Sequence, residues 1–126
     1  MSAPAVGSIG WLDLTVEDAP RLRDFYAAVT GWRPEPVPMG DYSDWAMLDP
    51  SSGEARAGVC HARGGNAGLP AAWLVYVVVA DLDASVAAAT ERGGELLLGP
   101  KAMGESRYAV LRDPAGAAFA LWQNGA

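Results

Sequence analysis

Residues 9–16 read IGWLDLTV, and residues 72–79 read AWLVYVVV. Both stretches have the length and the β-branched and aromatic content of a strand. Each leads into an acidic residue that is suited to cap the first turn of a helix. A strand end, an acidic cap and a helix-ending glycine recur at one constant spacing: Val16, Asp18 and Gly31 in the first half, Val79, Asp81 and Gly94 in the second. The chain therefore repeats one strand–helix unit.

The two halves also continue alike after this unit. Helices are predicted over about 19–30 and 82–92, because apolar residues recur there at helical spacing and glycine follows. The turns Asp49-Pro50 and Asp113-Pro114 each separate two further strands. These strands are predicted at 45–48, 57–62, 108–112 and 117–123. The sequence thus predicts one α+β domain over 1–126, with tandem βαβββ modules at about 7–62 and 71–123 and a flexible linker at 63–70.

Composition narrows the classes of function. The chain has a formal charge of −6 and nine scattered Lys and Arg residues, which argues against a nucleic-acid partner. No apolar run approaches the ~20 residues of a membrane span. The start, Met-Ser-Ala-Pro-Ala, lacks the pattern of a secretory signal, and the single cysteine fits a reducing compartment. A cytoplasmic protein without a membrane partner is predicted.

Several short motifs, taken in order, carry a family resemblance. They are Glu17-Asp18, Asp24-Phe25-Tyr26 with Gly31-Trp32, Val79-Ala80-Asp81-Leu82-Asp83 with Gly93-Gly94, and Asp113-Pro114-Ala115-Gly116. Because these motifs occur in this order and are duplicated, the chain resembles the vicinal oxygen chelate superfamily, which includes glyoxalase I, extradiol dioxygenases and bleomycin-resistance proteins. The resemblance implies curved mixed sheets around a cleft, with the helices on the convex side. It also implies a homodimer in which modules from two chains complete each site.

The resemblance further implies four metal-ligand positions, one on each of four strands facing the cleft. In this sequence they fall on Trp11, on Leu74, on Ala120 and on Gly58 or Val59. None of these side chains offers an oxygen or nitrogen lone pair to a divalent ion. We therefore expect no metal and no other cofactor.

Strand alternation, counted from the position of Trp11, predicts which side chains face the cleft. Val59 and His61 are expected on the cleft side and Cys60 on the helix side. The same count leaves the facing of Trp45 and Tyr108 open. The predicted ligand-binding residues are Trp11, Asp13, Tyr76, Trp122 and His61.

Each candidate also has a structural explanation. Trp11 is either a pocket wall or core, whereas Trp32 and Trp73 are interpreted as core. Asp13 is a general base, a partner for a cationic ligand or a structural hydrogen-bond acceptor, because a carboxylate in an apolar strand needs a partner. His61 either relays protons or is a surface or interface residue.

These residues favour a metal-independent binding protein that holds a hydrophobic or planar small molecule in an aromatic cleft. The rival hypothesis is a metal-independent isomerase, epimerase or cyclase, with Asp13 as general base and Tyr76 or His61 as acid. A third hypothesis, which the resemblance alone supports, is a metal-dependent glyoxalase-like lyase.

Overall fold

The computed structural model of the protein describes residues 4–125. Residues 1–3, at the start where the sequence predicts no secretory signal, and residue 126 lie outside this part. The order strand, helix and three strands occurs twice, which confirms the α+β class and the two βαβββ modules. The bounds are β1 Ile9–Val16, α1 Ala19–Thr30, β2 Arg33–Pro38, β3 Ser43–Leu48, β4 Ala55–His61, a short 3-10 helix Gly64–Asn66, β5 Trp73–Val78, α2 Leu82–Glu91, β6 Glu95–Met103, β7 Ser106–Arg112 and β8 Ala118–Gln123.

The described chain divides into two compact units. The early unit holds residues 12–73, and the late unit holds residues 4–11 and 74–125. The first residues belong to the late unit because they bond to β5: the Gly7 amide donates to the Val78 carbonyl at 2.7 Å, and the Val78 amide donates to the Ser8 carbonyl at 2.9 Å. β1 therefore begins in one unit and ends in the other. In residues 4–125, neither helix is long and apolar enough to cross a membrane.

In the early unit, β3 lies between β2 and β4, and β4 pairs in parallel with β1. The predicted caps bound α1: the Asp18 carboxylate accepts from the Arg21 amide at 3.3 Å, and Gly31 ends the helix with a φ of 80°. The helix covers one face of the sheet. The core between this helix and the sheet, which we call the α1 core, consists of Ala19, Trp45, Met47 and Val59, and Leu22 and Tyr26 pack against it.

Two tryptophans extend this core. Trp32 and Trp73 both pack against it, and their ring centroids lie 6.0 Å apart. The Trp73 indole Nε1 donates a hydrogen bond to the Tyr26 hydroxyl at 3.0 Å, so the polar end of this partly buried ring has a partner. The predicted core role of both tryptophans is confirmed.

In the late unit, β8 lies between β5 and β7, and β6 forms the edge beyond β7. α2 begins after Asp81, whose carboxylate accepts from the Ala84 amide at 3.1 Å, and the Gln123 side-chain oxygen accepts from the Leu82 amide at 2.7 Å. The helix ends at Glu91, one residue before the predicted end. The core of the late unit consists of Leu82, Ala109, Leu111 and Leu121, and Val77, Val86 and Phe119 pack against these residues.

Both predicted Asp-Pro turns are present. The Asp49 carboxylate accepts from the Ser51 amide at 2.8 Å, and Asp113 accepts from the Ala115 amide at 2.8 Å. Hydrogen bonds from the side chain and amide of Ser51, and from Arg56, hold the pKa of Asp49 well below its usual range. These aspartates fix the turns that aim the last two strands of each module.

Candidate functional site

The side of β1 that carries Asp13 faces away from α1. In the parallel pairing of β1 with β4, Leu14 lies beside Val59, and Thr15 lies beside Cys60. Val59 belongs to the α1 core, so Leu14 and Val59 share the helix side. Asp13 therefore occupies the opposite face, as predicted, and Thr15 shares that face with it.

The predicted facing of β4 is wrong. Val59 was expected on the cleft side with His61, and Cys60 on the helix side. In the structure Val59 is fully buried in the α1 core, and the Cys60 thiol lies against Asp13 on the other face. Because Val59 and Cys60 are both small and apolar, the hydrophobic pattern did not fix the phase of alternation, and a shift of one residue reverses every facing.

A contact between Asp13 and Cys60 is the main feature of this face in the early unit. The Cys60 Sγ donates to the Asp13 Oδ1 at 3.3 Å, and both residues are half-buried. Burial raises the pKa of the Cys60 thiol, and the carboxylates of Asp13 and then Asp44 raise it further. The thiol is therefore protonated at neutral pH and serves as a hydrogen-bond donor, not as a nucleophile.

His61 is held by a residue that the sequence analysis did not consider. The Asp44 Oδ1 accepts from the His61 amide at 2.9 Å and lies 3.1 Å from its ring Nδ1. The His61 ring centroid lies 5.1 Å from that of Tyr42 and 5.4 Å from that of Trp45. Since Trp45 belongs to the α1 core, His61 stands on the helix side of β4, and the open question about Trp45 is answered.

The late unit carries an aromatic cluster, which we define as Tyr76, Tyr108 and Trp122. The Tyr76 centroid lies 6.3 Å from that of Tyr108 and 6.5 Å from that of Trp122. The Tyr108 and Trp122 rings are stacked, with centroids 6.3 Å apart and an interplanar angle of 21°. Their strand neighbours Val77, Ala109 and Leu121 pack towards α2, so the cluster occupies the opposite face.

Within the cluster, exposure and hydrogen bonding differ from ring to ring. Tyr76 is 8% and Tyr108 is 6% exposed, whereas Trp122 is only half-buried. The Trp122 Nε1 donates to the Asn124 side-chain oxygen at 3.1 Å, and the Asn124 amide donates to the Pro4 carbonyl at 3.1 Å. The two tyrosines form a floor, and Trp122 is a fixed ring that a ligand can reach.

The five predicted site residues do not form one site. Tyr76 and Trp122 come together in the late unit, and Asp13 meets Cys60 in the early unit. His61 lies on the opposite face of the sheet from Asp13. Trp11, two residues before Asp13 in β1, is half-buried and belongs to the late unit.

Sequence reasoning missed two partners, Tyr108 and Asp44. Tyr108 pairs with Trp122 across the β7–β8 hairpin, and Arg112 pairs with Ala118 next to the turn. Tyr108 lies four residues before Arg112, and Trp122 lies four residues after Ala118, so the two aromatic residues face each other across the hairpin. Their equal distance from the Asp113-Pro114 turn is the sequence signal that could have identified this pair. Asp44 has no comparable signal, because its bond to His61 depends on the register of β3 against β4.

The residues at the four metal-ligand positions do not fit a metal ion. Leu74, Ala120 and Val59 are fully buried hydrocarbon side chains, Gly58 has no side chain, and the Trp11 indole offers no lone pair for coordination. Residues 4–125 also contain no group of three or more His, Cys, Asp or Glu residues arranged to hold an ion.

Comparison with known proteins gives consistent matches. Residues 11–122 match the family model described as a glyoxalase-like domain, which confirms the predicted resemblance. The anthracycline biosynthesis protein DnrV of Streptomyces peucetius is 34% identical over 141 residues, covering 99% of this chain and 50% of DnrV. The putative glyoxylase CFP32 of Mycobacterium bovis is 32% identical over 119 residues, which cover 93% of this chain and 46% of CFP32. The chain spans about half the length of these curated relatives.

Solved structures of low sequence identity have the same fold. Methylmalonyl-CoA epimerase from Mycobacterium tuberculosis aligns with a TM-score of 0.56 at 15% identity, covering 100% of this chain and 93% of that one. A Streptomyces coelicolor methylmalonyl-CoA epimerase in complex with 2-nitronate-propionyl-CoA aligns with a TM-score of 0.52 at 20% identity. The alignment covers 97% of this chain and 100% of the epimerase chain. At such identities the likeness concerns the fold alone.

Proposed function

Because the chain belongs to the glyoxalase-like domain family, we propose that it binds a hydrophobic or planar organic molecule without a metal ion. The observation that carries the proposal is the aromatic cluster of Tyr76, Tyr108 and Trp122 on the face of the late unit away from α2. Stacked aromatic rings with one accessible member suit a flat apolar ligand, which gains burial and offset-stacking energy together.

Orientation of the Trp122 ring supports the same proposal. The indole is held by Asn124 at its nitrogen and by Tyr108 on its face, so little conformational freedom is lost when a ligand stacks on it. Preorganisation of this kind raises affinity by lowering the entropic cost of binding. The buried floor of Tyr76 and Tyr108 keeps water from the inner side of the ring.

Metal independence is the testable core of the proposal. We expect less than stoichiometric Zn, Ni, Mn or Fe in protein purified without chelators, because hydrocarbon side chains stand at the ligand positions. An anthracycline is the first ligand to try, since one relative is named for anthracycline biosynthesis. Saturable quenching of tryptophan fluorescence, unchanged by EDTA, is the expected result. One metal ion per chain whose removal abolishes binding would refute metal independence.

A metal-independent isomerase, epimerase or cyclase is the second candidate function. The observation that favours it is the Asp13 carboxylate, half-buried and bonded to a protonated thiol on the face away from α1. A carboxylate in such a place is suited to accept a proton from a carbon acid. His61 is a weaker candidate for the acid, because it lies on the helix side of β4, whereas Asp13 lies on the opposite face.

Asp13→Asn separates these two functions. For a binding protein we expect unchanged affinity for a neutral planar ligand and a loss of about 1–2 kcal/mol in the free energy of unfolding, because the substitution weakens the hydrogen bond from Cys60. Ligand titration and urea unfolding measure the two quantities. Loss of turnover on any substrate of the purified protein, with the fold intact, would instead support the enzyme.

We also propose that the chain forms a homodimer, as the family resemblance implies. The curated relatives support it, because this chain corresponds to about half of their length. Light scattering at micromolar concentrations is expected to give about twice the 13.1 kDa of one chain. A mass of one chain at every concentration tested would refute the dimer.

A further inference from the structure

The early unit contains a hollow apart from the aromatic cluster. Its volume is about 350 Å³, which lies at the lower end of the range for small-molecule sites. Thr15 and Val16 line it at the end of β1, Glu17 lines it directly after that strand, and Ala62 lines it directly after β4. Ala67, Leu69 and Ala71, from the connector between the modules, complete the wall.

Hydrogen bonds hold the wall of this hollow in place. The Ala62 amide donates to the Val16 carbonyl at 2.9 Å, which ties the end of β4 to β1. In the connector, the Ala67 amide donates to the Gly64 carbonyl and the Leu69 amide to the Asn66 carbonyl, both at 3.2 Å. The segment that the sequence predicts as a flexible linker therefore presents a turn with its own backbone bonds.

Both polar side chains that line the hollow can accept a hydrogen bond. Glu17 contributes an exposed carboxylate, and Thr15, only 3% exposed, contributes a hydroxyl. No lysine, arginine or histidine lines the hollow, so an anion finds no countercharge there.

We propose that this hollow binds a small aliphatic amine in its ammonium form. The ammonium group has three donors and a positive charge, which match the Glu17 carboxylate and the Thr15 hydroxyl. A short alkyl chain fits against the alanines and Leu69, where its burial adds apolar stabilisation. The formal charge of −6 favours the approach of a cation. This site does not depend on the proposed function of the aromatic cluster.

Binding of n-butylammonium, compared with n-butanol and butyrate, tests the proposal. We expect saturable NMR shifts of the Ala62, Ala67, Ala71 and Leu69 methyl groups with butylammonium, weaker shifts with butanol and none with butyrate. Glu17→Gln should weaken butylammonium binding about tenfold, the effect of losing a charged hydrogen bond. Because Glu17 is exposed, this variant should fold normally, which a proton–nitrogen correlation spectrum checks.

Glu91→Gln is the matched control, since Glu91 is an exposed carboxylate in the late unit and the same charge is removed. Its affinity for butylammonium should equal that of the unmodified protein. Equal weakening by both variants would overturn the proposal, because it would mean general attraction of a cation to an acidic protein. Equal affinity for butanol, or shifts confined to other methyl groups, would overturn it as well.

Discussion

Trp122→Ala is expected to weaken the binding of a planar aromatic ligand about thirtyfold, or ~2 kcal/mol, the usual loss for a central aromatic contact. The variant removes the one ring of the aromatic cluster that a ligand reaches, and with it the stack on Tyr108. Trp122→Phe keeps an aromatic ring in the stack and should lose less. Fluorescence titration, or calorimetry where the optical signal is lost, measures the change.

Phe25→Ala is the matched control for this prediction. Phe25 is 53% exposed on α1 in the early unit, so the variant deletes an aromatic ring outside the cluster. Its ligand affinity should not change. If Trp122→Ala lowers the melting temperature but leaves affinity unchanged, the cluster is core and not a binding surface.

The Cys60 thiol of the folded protein is expected to react with a disulfide reagent at pH 8 at least about a hundredfold more slowly than that of the unfolded chain. The thiolate is the reactive form, and burial together with Asp13 and Asp44 raises the pKa of this thiol. Asp13→Asn removes one of the two carboxylates and should speed the reaction. Equal rates in the folded and the urea-unfolded protein would contradict the observed contact.

The same pKa shift predicts a loss of stability in alkali. A thiol whose pKa is raised in the folded state keeps its proton after the unfolded chain has lost its own, so the stabilisation is complete below the unfolded pKa of about 8.5 and declines above it. The free energy of unfolding should fall by up to about 1.4 kcal/mol per pH unit relative to Cys60→Ala. Urea unfolding of both proteins at pH 7, 9 and 10 measures the difference. Parallel pH profiles would refute it.

The fold was predictable because its signals are local. A strand that ends at an acidic cap, followed by an amphipathic helix and a glycine, is specified by the residues of each half, and α1 has the predicted bounds. The Asp-Pro turns are equally local, since each aspartate bonds amides two positions later. The predicted last residue of α2, Arg92, is the C-cap that follows Glu91, and helix boundaries commonly differ by one or two residues.

The candidate site was less predictable because it depends on register. Alternation gave the correct face for Asp13, Tyr76 and Trp122, because the ligand positions that the family resemblance implies on those strands fixed the phase of the count. It failed for Val59 and His61, because hydrophobicity alone does not distinguish Val59 from Cys60. Facing in such a strand is set by the pairing of Leu14 with Val59, a contact between distant parts of the sequence.

Identification of the residues that touch a bound ligand tests the central claim most directly. Isotope-filtered NMR of the protein with an anthracycline at saturation reports contacts between ligand ring protons and protein side chains. We predict contacts to Trp122 in metal-depleted protein, because Trp122 is the accessible ring of the aromatic cluster and is held in place by its stack on the buried Tyr108. Contacts confined to the early unit, or contacts at Trp122 that appear only after a divalent metal is added, would contradict the account.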